Sequence, residues 1–133
     1  MNLKGYRIYA APLLRIALSL VFLWFGLNQL LNGQAWLGWL PSWTVLLPIS
    51  GETLLLFNGG LETLFGLFLL LGIFTRVSSL VLGLHLLVIA ASLGYSDVMV
   101  RDLGLTLATL AVFLQGQDLF CLESRWEKSK TLL

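Results

Sequence analysis

Apolar residues in this chain gather into four long runs separated by short polar or glycine-containing breaks. The first covers 13–31, opening after Pro12 and closing before Asn32-Gly33. The second covers 53–74, with Arg76 marking its end, and the third covers 77–94, ending at Gly94. The fourth covers 97–115, with Ser96 or Asp97 as the expected N-cap and Gly116 as the stop. Crossing a hydrocarbon layer takes about 20 residues of helix at 1.5 Å rise each, which these runs approach or reach. They lack the two-residue alternation of barrel strands, so helices are predicted. The expected fold is all-α, an integral membrane four-helix bundle forming a single transmembrane domain over 1–133.

Within each run the polar residues recur at three- and four-residue spacing, which places them on one face of a helix. The first run aligns Arg15, Ser19, Phe22, Gly26 and Gln29, and the second Asn58, Glu62, Phe65, Leu69, Gly72 and Arg76. The third aligns Ser78, Val81, His85, Ile89 and Ser92, and the fourth Asp102, Thr106, Thr109 and Phe113. Four helices that each carry one polar face predict a bundle with a polar interior. Small residues at Gly59 and Gly66, Ala90 and Gly94, and Gly104 and Ala108 are expected to let helices approach closely.

Composition agrees with this pattern. Of 133 residues, 58% are hydrophobic and 11% charged, whereas soluble domains carry about 25% charged residues. A soluble enzyme domain and a disordered chain are therefore disfavoured. The net charge of +1 supplies no field for nucleic acid. One cysteine allows no internal disulfide, CxxC redox pair or thiolate zinc site, and no metal site is expected. A single His and two Met do not supply paired haem ligation within the chain. HExxH, phosphate-loop and GxSxG motifs are missing from the sequence.

Basic residues set the expected orientation. Lys4, Arg7 and Arg15 precede or open the first run, Arg76 lies between the second and third, and Arg125, Lys128 and Lys130 are in the tail. The opposite side has Arg101 alone, so both termini are expected in the cytoplasm. Arg15 and Arg76 are read as structural or topology charges. The 33–51 segment holds Trp36, Trp39 and Trp43 with Pro41 and Pro48, and no Lys or Arg. It is expected at the outer interface as an aromatic anchor and lid, with a substrate-contacting loop as the alternative. The cytoplasmic tail, 117–133, places Leu119, Leu122 and Trp126 at helical spacing, which suits an amphipathic helix on the inner leaflet. A docking site for a soluble partner is the alternative there.

Counting inward by helical rise puts Glu62 roughly 17 Å and His85 roughly 12 Å from the cytoplasmic edge. Both lie near the midplane, close enough to share a proton, and are the candidate catalytic residues. Charge at bilayer centre costs about 2.5–3.5 kcal/mol, so such residues face the protein interior and mark function. Asn58, Gln29, Arg101 and Asp102 are the candidate substrate-binding residues, and with Asn28 the last three form an expected outer cluster.

At these residues the chain resembles the DoxX family of small four-helix membrane proteins. The resemblance runs through LLRIALSLVFLWFGLNQLL (13–31), GGLETLFGLFLLLGIFTR (59–76), LGLHLLVI (82–89) and RDLGL (101–105). It implies a four-helix bundle in a prokaryotic cytoplasmic membrane and an association with membrane oxidoreductases, including the membrane part of thiosulfate:quinone oxidoreductases.

Three functions follow as expectations. The first is a membrane subunit of a quinone-linked oxidoreductase, with quinone as substrate and no cofactor motif in the chain itself. The second is a non-catalytic scaffold for a soluble redox or stress enzyme, and the third a small proton-coupled transporter. Expected partners are the lipid bilayer, a soluble oxidoreductase and a second copy of the chain.

Overall fold

The computed structural model describes residues 3–131, with side chains described within 5–126. Every regular element among the described residues is helical. A 3₁₀ turn, Leu3–Tyr9, leads into α1 (Ala10–Leu31), with Pro12 in its first turn, where a missing N–H breaks no helical bond. The 33–51 segment folds into α2 (Gly33–Trp36) and two 3₁₀ turns, Leu37–Trp39 and Ser42–Leu46. Then come α3 (Gly51–Leu71), α4 (Thr75–Ser92), α5 (Asp97–Gln115) and α6 (Leu122–Thr131). Ser50 and Ser96 cap α3 and α5, their hydroxyls accepting from the Thr53 and Met99 N–H groups at 3.2 Å.

Three stretches are long and apolar enough to cross a membrane: Gly5–Leu31, Gly51–Leu71 and Thr75–Ser92. Helix α5 is also long, but Asp97, Arg101 and Asp102 occupy its first two turns. Helix α1 packs closely on α3, and α4 on α5; the two pairs then meet more sparsely, α3 against α4 and α1 against α5. Lipid supplies no hydrophobic drive between helices, so close backbone approach and polar contacts must hold them. In the first pair a Cβ on Gly26 would stand 2.5 Å from Thr63 Oγ1 and 2.8 Å from the Gly59 carbonyl oxygen. In the second, Gly83 lies against Leu110. Gly94 and Gly104, expected as approach points, face open space instead. Leu18, Phe22, Leu69, Leu82, Leu86 and Val112 form the apolar core where the four long helices meet.

The expected polar stripes of α1 and α5 are buried, except that α5 buries Val112 beside the half-buried Phe113. On α3 the buried line is Leu55, Gly59, Glu62, Gly66 and Leu69, with Asn58 and Phe65 half-buried beside it. The stripe expected on α4 is displaced. Its packed face is Ser78, Ser79, Leu82, Gly83, Leu86 and Ala90, while Val81, His85, Ile89 and Ser92 are half-buried.

The turn between α3 and α4 lies earlier than the hydrophobic pattern suggests. Gly72 takes φ 67°, its N–H donates to the Leu69 carbonyl at 3.2 Å, and the Ile73 N–H donates to that of Phe68 at 2.9 Å. This closure ends α3 with a left-handed residue. Phe74 is also left-handed at φ 49°, a conformation that costs a residue with a Cβ, and α4 begins one residue later. Arg76 therefore sits in the first turn of α4, exposed, and not on the α3 stripe.

The tail also departs from expectation. No helix starts until Leu122, and the segment before it crosses the helix ends, with Cys121 wholly buried against Gly72. The Glu123 carboxylate accepts from the Thr75 N–H at 3.3 Å, and the Glu123 N–H donates to the Gly72 carbonyl at 3.2 Å. One residue thus caps the start of α4 and secures the end of α3. Leu119 and Trp126 are exposed, and Leu122 is half-buried. Lys128 and Lys130 lie outside the side chains described.

Candidate functional site

A cavity of about 410 Å³ separates the α1–α3 pair from the α4–α5 pair. The six residues singled out by sequence as catalytic or binding, Gln29, Asn58, Glu62, His85, Arg101 and Asp102, all line it. Their helices explain the convergence. Gln29 closes the buried stripe of α1, Glu62 is the midpoint of the buried line of α3, and Asp102 opens that of α5. His85 is only half-buried because it faces this space and not the packed core.

The Glu62 carboxyl, on a residue 3% exposed, is met by amide donors from two helices, α1 and its own α3. The Gln29 side-chain amide donates to Oε2 at 3.2 Å, and the Asn58 amide donates to Oε1 at 3.4 Å. Asn58 also donates to the Gln29 carbonyl oxygen, closing a ring of three side chains. His85 Nε2 stands 3.5 Å from Glu62 Oε1 and makes no hydrogen bond among the described residues. A carboxylate supplied with amide donors is held in place, and an imidazole at this distance can exchange a proton with it after a small movement. The expected division into a central pair and an outer cluster shifts accordingly. Gln29 belongs with Glu62, while Asn28 turns back to donate to the Trp24 carbonyl at 3.1 Å.

Arg101 and Asp102 form the second polar group. Arg101 Nε and Nη2 both lie 2.8 Å from Asp102 Oδ1, with the arginine side chain half exposed and the carboxyl buried. The guanidinium also lies over the Phe25 ring, 5.6 Å from its centroid, and Phe25 meets Trp36 edge-on at 5.7 Å. A continuous line, Asp102–Arg101–Phe25–Trp36, therefore ties α5 to α1 and to the loop. Trp39, Trp43 and Thr44 complete the loop's contribution to the cavity wall. Polar periodicity gave no signal for Phe25 or the Trp residues; the cluster of tryptophans without basic residues was the available clue.

Arg15 takes no part in this cavity. It is 1% exposed and serves the opposite end of the molecule. Its Nη1 donates to the Leu69 and Leu70 carbonyls at 2.6 and 2.7 Å, at the end of α3, where a cation is favoured. Its Nε and Nη2 reach the two oxygens of Asp118 at 2.6 and 3.3 Å. Burial pushes the Asp118 carboxyl up, but hydrogen bonds from Arg15 and the Phe120 N–H outweigh it and hold the group below its ordinary 3.8. The arginine is a clamp between α1, α3 and the tail. Arg76 lies against Gly116, where a Cβ would stand 2.7 Å from its Nε.

No curated protein and no solved structure matches the chain. The sequence model of the DoxX family matches residues 10–95, from the start of α1 to just beyond α4, and leaves the Arg101–Asp102 element outside. With about two thirds of its length covered by that match, the chain is a membrane protein belonging to the DoxX family.

Proposed function

We propose that this chain is the membrane subunit of a quinone-linked oxidoreductase in a prokaryotic plasma membrane. It spans the bilayer as a four-helix bundle, termini in the cytoplasm and the tryptophan loop outside. The basic residues support this orientation. Arg7, Arg15, Arg76 and Arg125 lie on or near the clamp end, and Arg101 on the loop end.

One observation carries the functional reading: the buried Glu62 carboxyl and the His85 imidazole, whose Nε2 has no hydrogen bond among the described residues, share the wall of a largely apolar cavity. A quinone needs an apolar slot for its ring and polar groups at its carbonyls that can exchange protons. Its reduction to the quinol takes up two electrons and two protons. No side chain here stores electrons, so a reduced substrate or a soluble redox partner must supply them. Glu62 and His85 pass the protons, while Gln29 and Asn58, which do not titrate, fix the carboxyl and meet the ring. Arg101 and Asp102 hold the outer part of the head group.

Purified protein analysed for bound small molecules should yield a lipophilic redox compound near stoichiometric level. Glu62→Gln should abolish quinol-linked turnover, and unchanged turnover would remove Glu62 from the chemistry. A scaffold gives the opposite pattern, tolerating Glu62→Gln but losing its partner when the tail is deleted.

A further inference from the structure

Two sides of the cavity are closed by named contacts, and a third is roofed by the loop. Towards the clamp end lies the apolar core of Leu18, Phe22, Leu69, Leu82, Leu86 and Val112. Between α1 and α5 the Arg101–Phe25 stack bridges the helices. The tryptophan loop covers the far end. The fourth side, between α3 and α4, differs in kind. Phe57 and Val88 line the cavity there, yet they are 68% and 62% exposed. A side chain that borders an internal space and also the outside marks an opening: Trp39 and Trp43, 60% and 46% exposed, do so at the loop end, and Phe57 and Val88 do so along the flank of two helices long and apolar enough to span a membrane. Since α3 and α4 run in opposite directions, both residues lie on the loop side of the polar pair. Phe57 stands about 7.5 Å along the helix from Glu62, and Val88 about 4.5 Å from His85.

We infer that this cavity opens sideways into the bilayer between Phe57 and Val88, and that its ligand carries a long hydrocarbon tail lying in that gap. The inference rests on the quinone reading and specifies the form of the quinone. The volume of about 410 Å³ lies near the lower end of the range for small-molecule sites, about 300–1,000 Å³. It suits a ring and the first part of a chain, and the remainder must leave through an apolar exit. An opening to water would need polar rims; this one is framed by a phenylalanine and a valine on helices apolar enough to span a membrane.

The test is equilibrium binding in detergent by scintillation proximity, using two tritiated probes. One is a benzoquinone with a decyl chain, and the other is the same ring without a chain. Phe57→Trp and Val88→Trp, singly and together, fill the gap without touching the polar pair. Leu107→Trp, at an exposed position on α5 outside the cavity wall, is the control. The double variant should bind the decyl compound at least about tenfold more weakly than the unaltered chain, a difference of about 1.4 kcal/mol. It should bind the chainless ring within about twofold of the unaltered chain, which also certifies its fold, and Leu107→Trp should change neither. Equal affinity of the unaltered and double-variant proteins for the decyl compound would overturn the lateral opening while leaving the quinone reading intact. Failure of the unaltered protein to bind either compound would overturn both. If the double variant loses the chainless ring, the single variants decide: loss of both compounds in each overturns the opening, and loss of the decyl compound alone supports it.

Discussion

Replacing Arg15 by methionine should be the most damaging single change at the clamp end, and the structure gives its size. The guanidinium is 1% exposed and makes four hydrogen bonds, two to Asp118 and two to the carbonyls of Leu69 and Leu70. Methionine keeps much of the volume but leaves the Asp118 carboxyl, itself largely out of solvent, without its cation. Breaking a buried pair from one side costs about 3–5 kcal/mol. Asp118→Asn should cost less, about 1.5–3 kcal/mol, because the arginine keeps the carbonyls at the end of α3. Titration into denaturing detergent, followed by near-ultraviolet dichroism of the tryptophans, reads both values. Because the folded Asp118 carboxyl lies below 3.8, the clamp's contribution is complete above that value and fades as pH falls through the lowered one. Stability lost to Asp118→Asn should therefore be constant from neutral pH to about pH 5 and vanish only in stronger acid. An Arg15→Met protein within about 1 kcal/mol of the unaltered chain, or an Asp118→Asn protein less stable than Arg15→Met, would refute the clamp.

Two further changes separate packing from fold. Gly26→Ala drives a methyl group into Thr63 and the Gly59 carbonyl and should cost about 1–3 kcal/mol by forcing α1 from α3. Gly104→Ala, facing open space, should be neutral or gain up to about 1 kcal/mol of helix propensity, and the same unfolding assay compares them. Cys121, wholly buried under the α3–α4 turn, should react slowly with maleimide in the folded protein. In Asp118→Asn, whose tail undocks more often, labelling followed by mass spectrometry should be about tenfold faster for each 1.4 kcal/mol lost.

How much of this was readable in the residues depended on what each pattern recorded. Arg15, Ser19, Phe22, Gly26 and Gln29 repeat with the period of a helix packed along its length, and all five are buried. On α4 the same logic chose a displaced face, because polarity there marks two surfaces. Ser78 and Ser79 pack, whereas His85 turns to a cavity that periodicity does not register. Arg76 looked like the end of the second run because the apolar letters continue through Ile73 and Phe74. The physical stop is Gly72, whose left-handed conformation ends the helix regardless of hydropathy. Arg15 read as a structural or topology charge, but nothing in the pattern chose between the two, because its partner Asp118 lies 103 residues away, a separation at which local spacing says nothing. Pairing Glu62 with His85 was possible because depth along a spanning helix follows from residue count, whereas the same count put Gln29 at the outer level, and its long side chain reaches back to the carboxyl.

In the proposed function the Glu62 carboxyl exchanges protons with a quinone bound in this cavity. Infrared difference spectroscopy of the quinone-loaded protein, recorded on electrochemical reduction, reads that exchange directly. The difference spectrum should contain a carboxyl C=O band that shifts in heavy water and is missing from Glu62→Gln. Superimposable spectra from the two proteins, with quinone bound and reduced in both, would contradict that exchange.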